Sequence, residues 1–203
     1  MPLFPGNIPL SIKKIASPDN QGYGMESYNS STHCGTHVDS QAHFLEKGET
    51  VDDIPLKNLI GSGYVIRPEI TAVEISVSAI RKIWKKNYDK KIILINTGWS
   101  EKRTFSKEFQ EEFPGLSTEA AKFFIEKGIR LLGIDTLGID PFVKSDFPAH
   151  KLLLTNGCSV IEDLTNLGSL SLDVEYKIIA LPIKILHGSG SMARVVAIEP
   201  DSK

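Results

Sequence analysis

Several features that define large classes of protein are scarce in this chain of 203 residues. Two cysteines, Cys34 and Cys158, are too few for a disulfide framework. No apolar run approaches the roughly 18 residues of a membrane-spanning helix, and no basic stretch precedes an apolar segment at the N-terminus. The 23 basic and 25 acidic side chains leave a net charge of −2, without the footprint of a nucleic-acid-binding protein. We therefore expect a cytoplasmic protein that binds neither membranes nor nucleic acid.

The apolar content is sufficient for a substantial core. Hydrophobic residues make up 41% of the chain, and the length fits one domain over residues 1–203. The densest basic cluster, residues 81–86, lies at the end of a predicted amphipathic helix, which favours a solvated helix face.

The pattern of apolar residues predicts an alternation of strands and helices. Helices are expected at residues 76–86, where Val77, Ile80 and Trp84 recur at helical spacing, and at 117–127, which Ser117 caps. Strands are expected at residues 26–39, 63–66, 91–96, 130–135, 158–161, 176–185 and 193–198. This mixture predicts an α/β sandwich with a mixed sheet.

A cluster of histidines is the most informative feature. His33, His37, Asp39 and His43 all occupy odd positions, so an extended strand would project them from one face. Gly35 would share that face and leave room for an ion between the histidines. Cys34 would point the other way and pack as a small apolar residue. The spacing also arises by chance in proteins without metal.

The pattern His33-x-Gly35-Thr36-His37-x-Asp39-x-x-x-His43 resembles the signature of the metal-dependent cyclase family, which includes bacterial kynurenine formamidases and isatin hydrolases. Other segments are similar to the family in the same order: Met-Pro-Leu-Phe-Pro-Gly at residues 1–6, Asn-Thr-Gly-Trp at 96–99, Gly-Ile-Asp-Thr-Leu-Gly-Ile-Asp at 133–140, His150 and Glu162. The resemblance implies a swivelling β/β/α fold and homodimers or larger assemblies.

The resemblance also implies roles for individual residues. His33 and His37 would bind one metal, Asp39 and Glu162 would bind or bridge, and His150 would serve a second metal. His43 would be the general acid/base. Read alone, His150 is a helix-end histidine and Glu162 a strand-end surface carboxylate, while His43 could instead be a third ligand or a buried hydrogen-bonded histidine.

Several residues depart from the family pattern. Gln41 replaces a proline, Phe4 replaces the tryptophan of kynurenine formamidases, and Leu137 with Gly138 replaces Pro-Ser. The strand that precedes the opening segment in the family is expected to be absent. These departures favour a relative of the kynurenine formamidases, with different substrate walls, over a kynurenine formamidase itself. Phe4 is the residue of these walls that we expect to bind substrate.

Other polar and aromatic residues are given structural roles. Asp135 and Asp140 are interpreted as turn formers that bond their own backbone. His187 is interpreted as a loop residue that at most lines or flanks the pocket, and Trp99 as core packing in preference to a pocket wall. Arg194 could anchor a carboxylate or pair internally.

Imidazole and carboxylate ligands suit Zn²⁺, Mn²⁺ or Fe²⁺. Zinc is our first choice and manganese the second, with one or two ions bound. We therefore predict a hydrolase that cleaves the amide C–N bond of a small formamide or cyclic amide, with metal-activated water and His43 as acid/base. The alternatives are an isatin-type lactam hydrolase and a non-catalytic binding protein stabilised by its metal.

Overall fold

Seven strands form a closed mixed barrel in the computed structural model, which describes residues 1–199. Around the barrel the strands are Tyr176–Pro182 (β10), Gly190–Ile198 (β11), His37–Asp39 (β3), Ser159–Glu162 (β9), Leu131–Ile134 (β8), Ile92–Ile95 (β6) and Ile60–Ile66 (β4). Strands β4, β6, β8 and β9 run parallel, and all other neighbours in the barrel are antiparallel. The expected α/β fold with a mixed sheet is confirmed, and this sheet closes on itself.

Two small sheets lie outside the barrel. Ser11–Ala16 (β1) and Met25–Asn29 (β2) form an antiparallel hairpin, while Glu74–Ile75 (β5) and Gly115–Leu116 (β7) pair in parallel. The helices are Pro18–Gln21 (α1), Leu56–Leu59 (α2), Val77–Ile83 (α3), Lys107–Glu111 (α4), Thr118–Glu126 (α5) and Pro148–Thr155 (α6). None of the helices in residues 1–199 is long and apolar enough to cross a membrane.

Both faces of the parallel strands are covered. In β6, Ile93 and Ile95 pack against helices α3, α5 and α6, while Ile92 and Leu94 contact the core inside the barrel. Every residue of β6 is consequently buried, which explains why this strand reads as a continuous apolar run.

The two predicted helices are confirmed, with one boundary corrected. Ser76 and Ser117 cap α3 and α5, because their hydroxyl groups accept hydrogen bonds from the amides of Ala79 and Ala120. Helix α3 ends at Ile83, three residues earlier than expected. The basic side chains that follow are exposed and form pairs such as Lys86 with Asp89, as expected of a solvated face.

The continuous strand expected at residues 26–39 is wrong. Strand β2 ends at Asn29, the chain bends between residues 32 and 36, and the next strand begins only at β3. Gly35 lies in this break with a φ of 63°, a left-handed conformation that L residues adopt at a cost. Strand β10 likewise ends at Pro182 and not at residue 185.

Candidate metal centre

Strands β3 and β9 form the floor of the site. His37 lies directly opposite Glu162 in this antiparallel pair, so the two side chains share a face. Asp39 lies two residues beyond His37 and therefore projects from the same face. Helix α6 brings His150 to the same place from its first turn. The structure thus brings together residues that are far apart in sequence.

His33 and His43 also lie at the site, but they do not belong to one extended strand, as had been predicted. His33 precedes the left-handed turn at Gly35, and His43 belongs to a 3₁₀ turn formed by residues 41–43. The two rings stack with their centroids 3.9 Å apart. The expectation that Gly35 leaves room for an ion is also not met. The space that a side chain at Gly35 would enter is occupied by the Met1 side chain.

Short contacts join the histidines to the carboxylates. Nδ1 of His33 lies 2.7 Å from Asp39 Oδ1, and Nε2 of His37 lies 3.2 Å from the same oxygen. Nε2 of His150 lies 2.8 Å from Glu162 Oε1. The ring of His37 is oriented by its other nitrogen, because Nδ1 donates to the carbonyl oxygen of Gly35 at 2.7 Å.

Asp140 orients His150, which corrects the interpretation of this aspartate as a turn former. Its Oδ2 lies 2.6 Å from His150 Nδ1, and its carboxylate also accepts hydrogen bonds from the amides of Ala149 and His150. Asp135 also bonds another segment, since its Oδ1 accepts from the amide and hydroxyl of Thr97. Asp140 ends the family-like segment 133–140, but only the fold shows that it lies beside His150.

Ser189 is a second contact that the sequence did not predict. Its hydroxyl lies 2.9 Å from Nε2 of His33, so the loop between β10 and β11 supports the first histidine. His187 in the same loop is exposed, and its amide donates to Asp52 away from the cavity. Arg194 is also exposed and lies outside the cavity wall.

The carboxylates favour protonated histidines. Burial alone would lower the pKa of His37, but Asp39 and Glu162 outweigh burial and raise that pKa to about 9. Burial likewise opposes a charged His150, yet Glu162 and Asp140 raise its pKa well above the ordinary value. For Asp39, burial is outweighed by His37 and by hydrogen bonds from the histidines, which hold its pKa well below the usual range.

His43 has the opposite shift. Burial, together with the neighbouring histidines, lowers the pKa of His43 to about 4 despite the opposing effect of Asp39. At neutral pH this shift favours the uncharged imidazole of His43.

The site opens into a cavity of about 470 Å³. Phe4, Phe44, Phe147 and Leu137 line its walls, and His33, His37, His43, His150 and Glu162 line the part nearest the carboxylates. Phe4 thus lies where the sequence analysis placed it, and its contact with substrate stays a prediction. Trp99 packs on Phe109 in the core, and Cys34 is buried, both as expected.

The donor set fits a divalent ion. In each of two groups of side chains, the possible ligand atoms lie within 4.8 Å of one another. One group is His33, His37 and Asp39, and the other is Asp39, His43 and His150. Among the described residues, Oδ2 of the fully buried Asp39 has no hydrogen-bond partner. Its nearest cationic neighbour is Nε2 of His150 at 3.6 Å, and a buried carboxylate oxygen without a hydrogen bond is costly unless a cation or donor satisfies it. Glu162 lies in contact with both groups and could also contribute oxygen.

The chain is similar to known proteins in both sequence and fold. The Cyclase family model matches residues 1–141. A kynurenine formamidase from Bacillus mycoides is 30% identical over 200 residues, covering 95% of this chain and 89% of the relative. The structure of isatin hydrolase A from Labrenzia aggregata bound to benzyl benzoate is 25% identical with a TM-score of 0.82, covering 97% of this chain and 86% of the other. A predicted metal-dependent hydrolase from Bacillus stearothermophilus is 26% identical with a TM-score of 0.80, covering 97% and 91%.

Proposed function

Because the chain belongs to the cyclase family, we propose that it is a metal-dependent amidohydrolase that cleaves the amide C–N bond of a small formamide or cyclic amide. The observation that carries this proposal is the convergence of three histidines and two carboxylates at one end of an aromatic-walled cavity. The related kynurenine formamidase and isatin hydrolase support the reaction class.

Five residues would hold the metal: His33, His37, Asp39, His150 and Glu162. We propose Zn²⁺, with Mn²⁺ as the second choice and one or two ions bound, because nitrogen and oxygen donors without thiolate suit both metals. A divalent ion in such a site polarises a carbonyl group and activates water as a nucleophile.

His43 would move the proton. It lines the cavity beside the proposed ligands, where its imidazole would accept a proton from water and return it to the leaving nitrogen. Phe4, Phe44 and Phe147 would hold the aryl part of the substrate and exclude water. The second candidate reaction, the opening of an isatin-type lactam, uses the same groups and is favoured by the similarity to isatin hydrolase A.

We further propose a homodimer or a larger homo-oligomer in the cytoplasm. The β1–β2 hairpin supports the assembly, because it exposes Ile12, Ile15, Met25 and Tyr28 to solvent. Both cysteines are free thiols, as is usual in a reducing compartment.

The His43→Ala variant tests the proposed role of His43. We expect the bound metal to stay, by elemental analysis, and kcat for formate release from N-formylkynurenine or for isatin ring opening to fall about 10²- to 10⁴-fold. Loss of the metal together with activity would instead make His43 a ligand. Unchanged activity would contradict a catalytic role.

The control is His187→Asn, since His187 is exposed outside the cavity and asparagine tolerates its left-handed backbone. This variant is expected to keep both metal and activity.

Wild-type protein that binds metal but cleaves neither an amide nor a lactam would favour the alternative of a non-catalytic binding protein.

A further inference from the structure

The cavity walls carry little charge. Phe4, Phe44 and Phe147 surround the space, with the Phe44 ring 5.5 Å from Phe147 and 5.1 Å from His150. Within residues 1–199, no lysine or arginine lines this cavity. The acidic lining residue is Glu162, and the proposed metal would engage its carboxylate as a ligand.

The polar wall residues are already engaged with the protein. The side-chain amide of Asn7 donates to the carbonyl oxygen of His33 and accepts from the amide of Ile8. The hydroxyl of Ser31 accepts from the amide of His33 at 2.9 Å. Both ring nitrogens of His33 contact other side chains, Asp39 and Ser189. These groups serve to build the wall and the metal site.

A substrate with an amino-acid head would place an ammonium and a carboxylate against this wall. A charged group that leaves water and finds no partner in the protein loses solvation free energy. This loss is far larger than the free energy gained from apolar contacts. A flat neutral ring, by contrast, gains contact with three aromatic side chains. Resting on the proposed hydrolase function, we propose that the substrate of this enzyme is an uncharged aryl amide without an amino-acid head group.

Two substrates with the same scissile bond test this proposal. N-formylkynurenine and 2-formamidoacetophenone share the formanilide and the ortho ketone, and differ in the amino-acid group. With the metal-loaded enzyme, we expect kcat/KM for formate release to be at least about tenfold higher for 2-formamidoacetophenone. An equal or higher kcat/KM for N-formylkynurenine would overturn the proposal. Failure to cleave either compound or isatin would instead refute the hydrolase function on which the proposal rests.

A charge added to the wall tests the physical cause. In Ser31→Arg, a cation would face the cavity, and Ser31→Gln is a long uncharged control that loses the same hydroxyl contact with His33. We expect the arginine variant to shift the kcat/KM ratio toward N-formylkynurenine by about tenfold relative to the glutamine variant. Equal ratios in two variants that both cleave the neutral substrate would show that wall charge does not set the preference.

Discussion

At the scale of single residues, Asp140 determines how His150 presents its Nε2 atom. The carboxylate fixes both the tautomer and the ring orientation, because Nδ1 of His150 is bound to Asp140 at 2.6 Å. We expect Asp140→Asn to weaken Zn²⁺ binding about 10- to 100-fold, measured by competition with a chelator. Asp135→Asn is a matched control, since Asp135 is equally buried but bonds Thr97. Equal loss of affinity in both variants would contradict the orienting role.

The raised pKa of His37 predicts how the stability of the metal-free protein depends on pH. The folded state raises this pKa from 6.5 to about 9, so it binds a proton more tightly than the unfolded chain. The resulting stabilisation is present in full below about pH 6.5 and is lost as the pH rises through 9. The shift of His150 acts in the same direction. The free energy of unfolding of the metal-free protein should therefore fall between pH 6.5 and 9.

Denaturant unfolding at several pH values measures this fall. His37→Asn should flatten the profile, and His187→Asn should leave it unchanged because His187 is exposed. Metal displaces the protons from its ligands, so the loaded protein should lack the fall over this range. A metal-free protein of constant stability from pH 6.5 to 9 would show that the carboxylates do not hold these protons.

At the scale of elements, local patterns were enough to predict much of the fold. Helical spacing predicted α3, the Ser117 cap marked α5, and strands were expected at the positions of β6 and β8. These signals are local because capping and burial act within a few residues. The boundaries were less accurate, since α3 ends at Ile83 and β10 at Pro182, each three residues before the expected end.

The geometry of the site could be predicted only in part. His37 and Asp39 share a strand face as expected, but His33 and His43 do not lie on that strand. The left-handed backbone at Gly35 and the 3₁₀ turn at 41–43 depend on packing that the alternation rule ignores. The contacts of His150 with Glu162 and Asp140 arise from the fold. The sequence indicated His150 and Glu162 as site residues only through the family resemblance.

At the scale of the whole molecule, the β1–β2 hairpin predicts self-association. A two-stranded hairpin exposed on both faces is marginal by itself, yet Ile12 and Tyr28 lie opposite one another and are 65% and 60% exposed. If a second copy covers this hairpin, Ile12→Thr combined with Tyr28→Thr should weaken the dimer about 100-fold or more. Light scattering over a range of protein concentrations measures this change.

Leu56→Gln is the control, because Leu56 is 65% exposed but lies on α2, outside the hairpin. It should leave the assembly unchanged. A monomeric wild-type protein, or a double variant that assembles like the wild type, would contradict the role of the hairpin.

The position of β3 in the barrel also affects how the protein is made. This short strand lies between β9 and β11, so its neighbours come from the last third of the chain. At ordinary translation rates, roughly ten seconds pass between synthesis of His37 and synthesis of Glu162. During that interval His33, His37, Asp39 and His43 lie on a segment without its supporting strands. The proposed ligand set can therefore assemble only after β9 has been made, which puts stable loading of the ion late in folding.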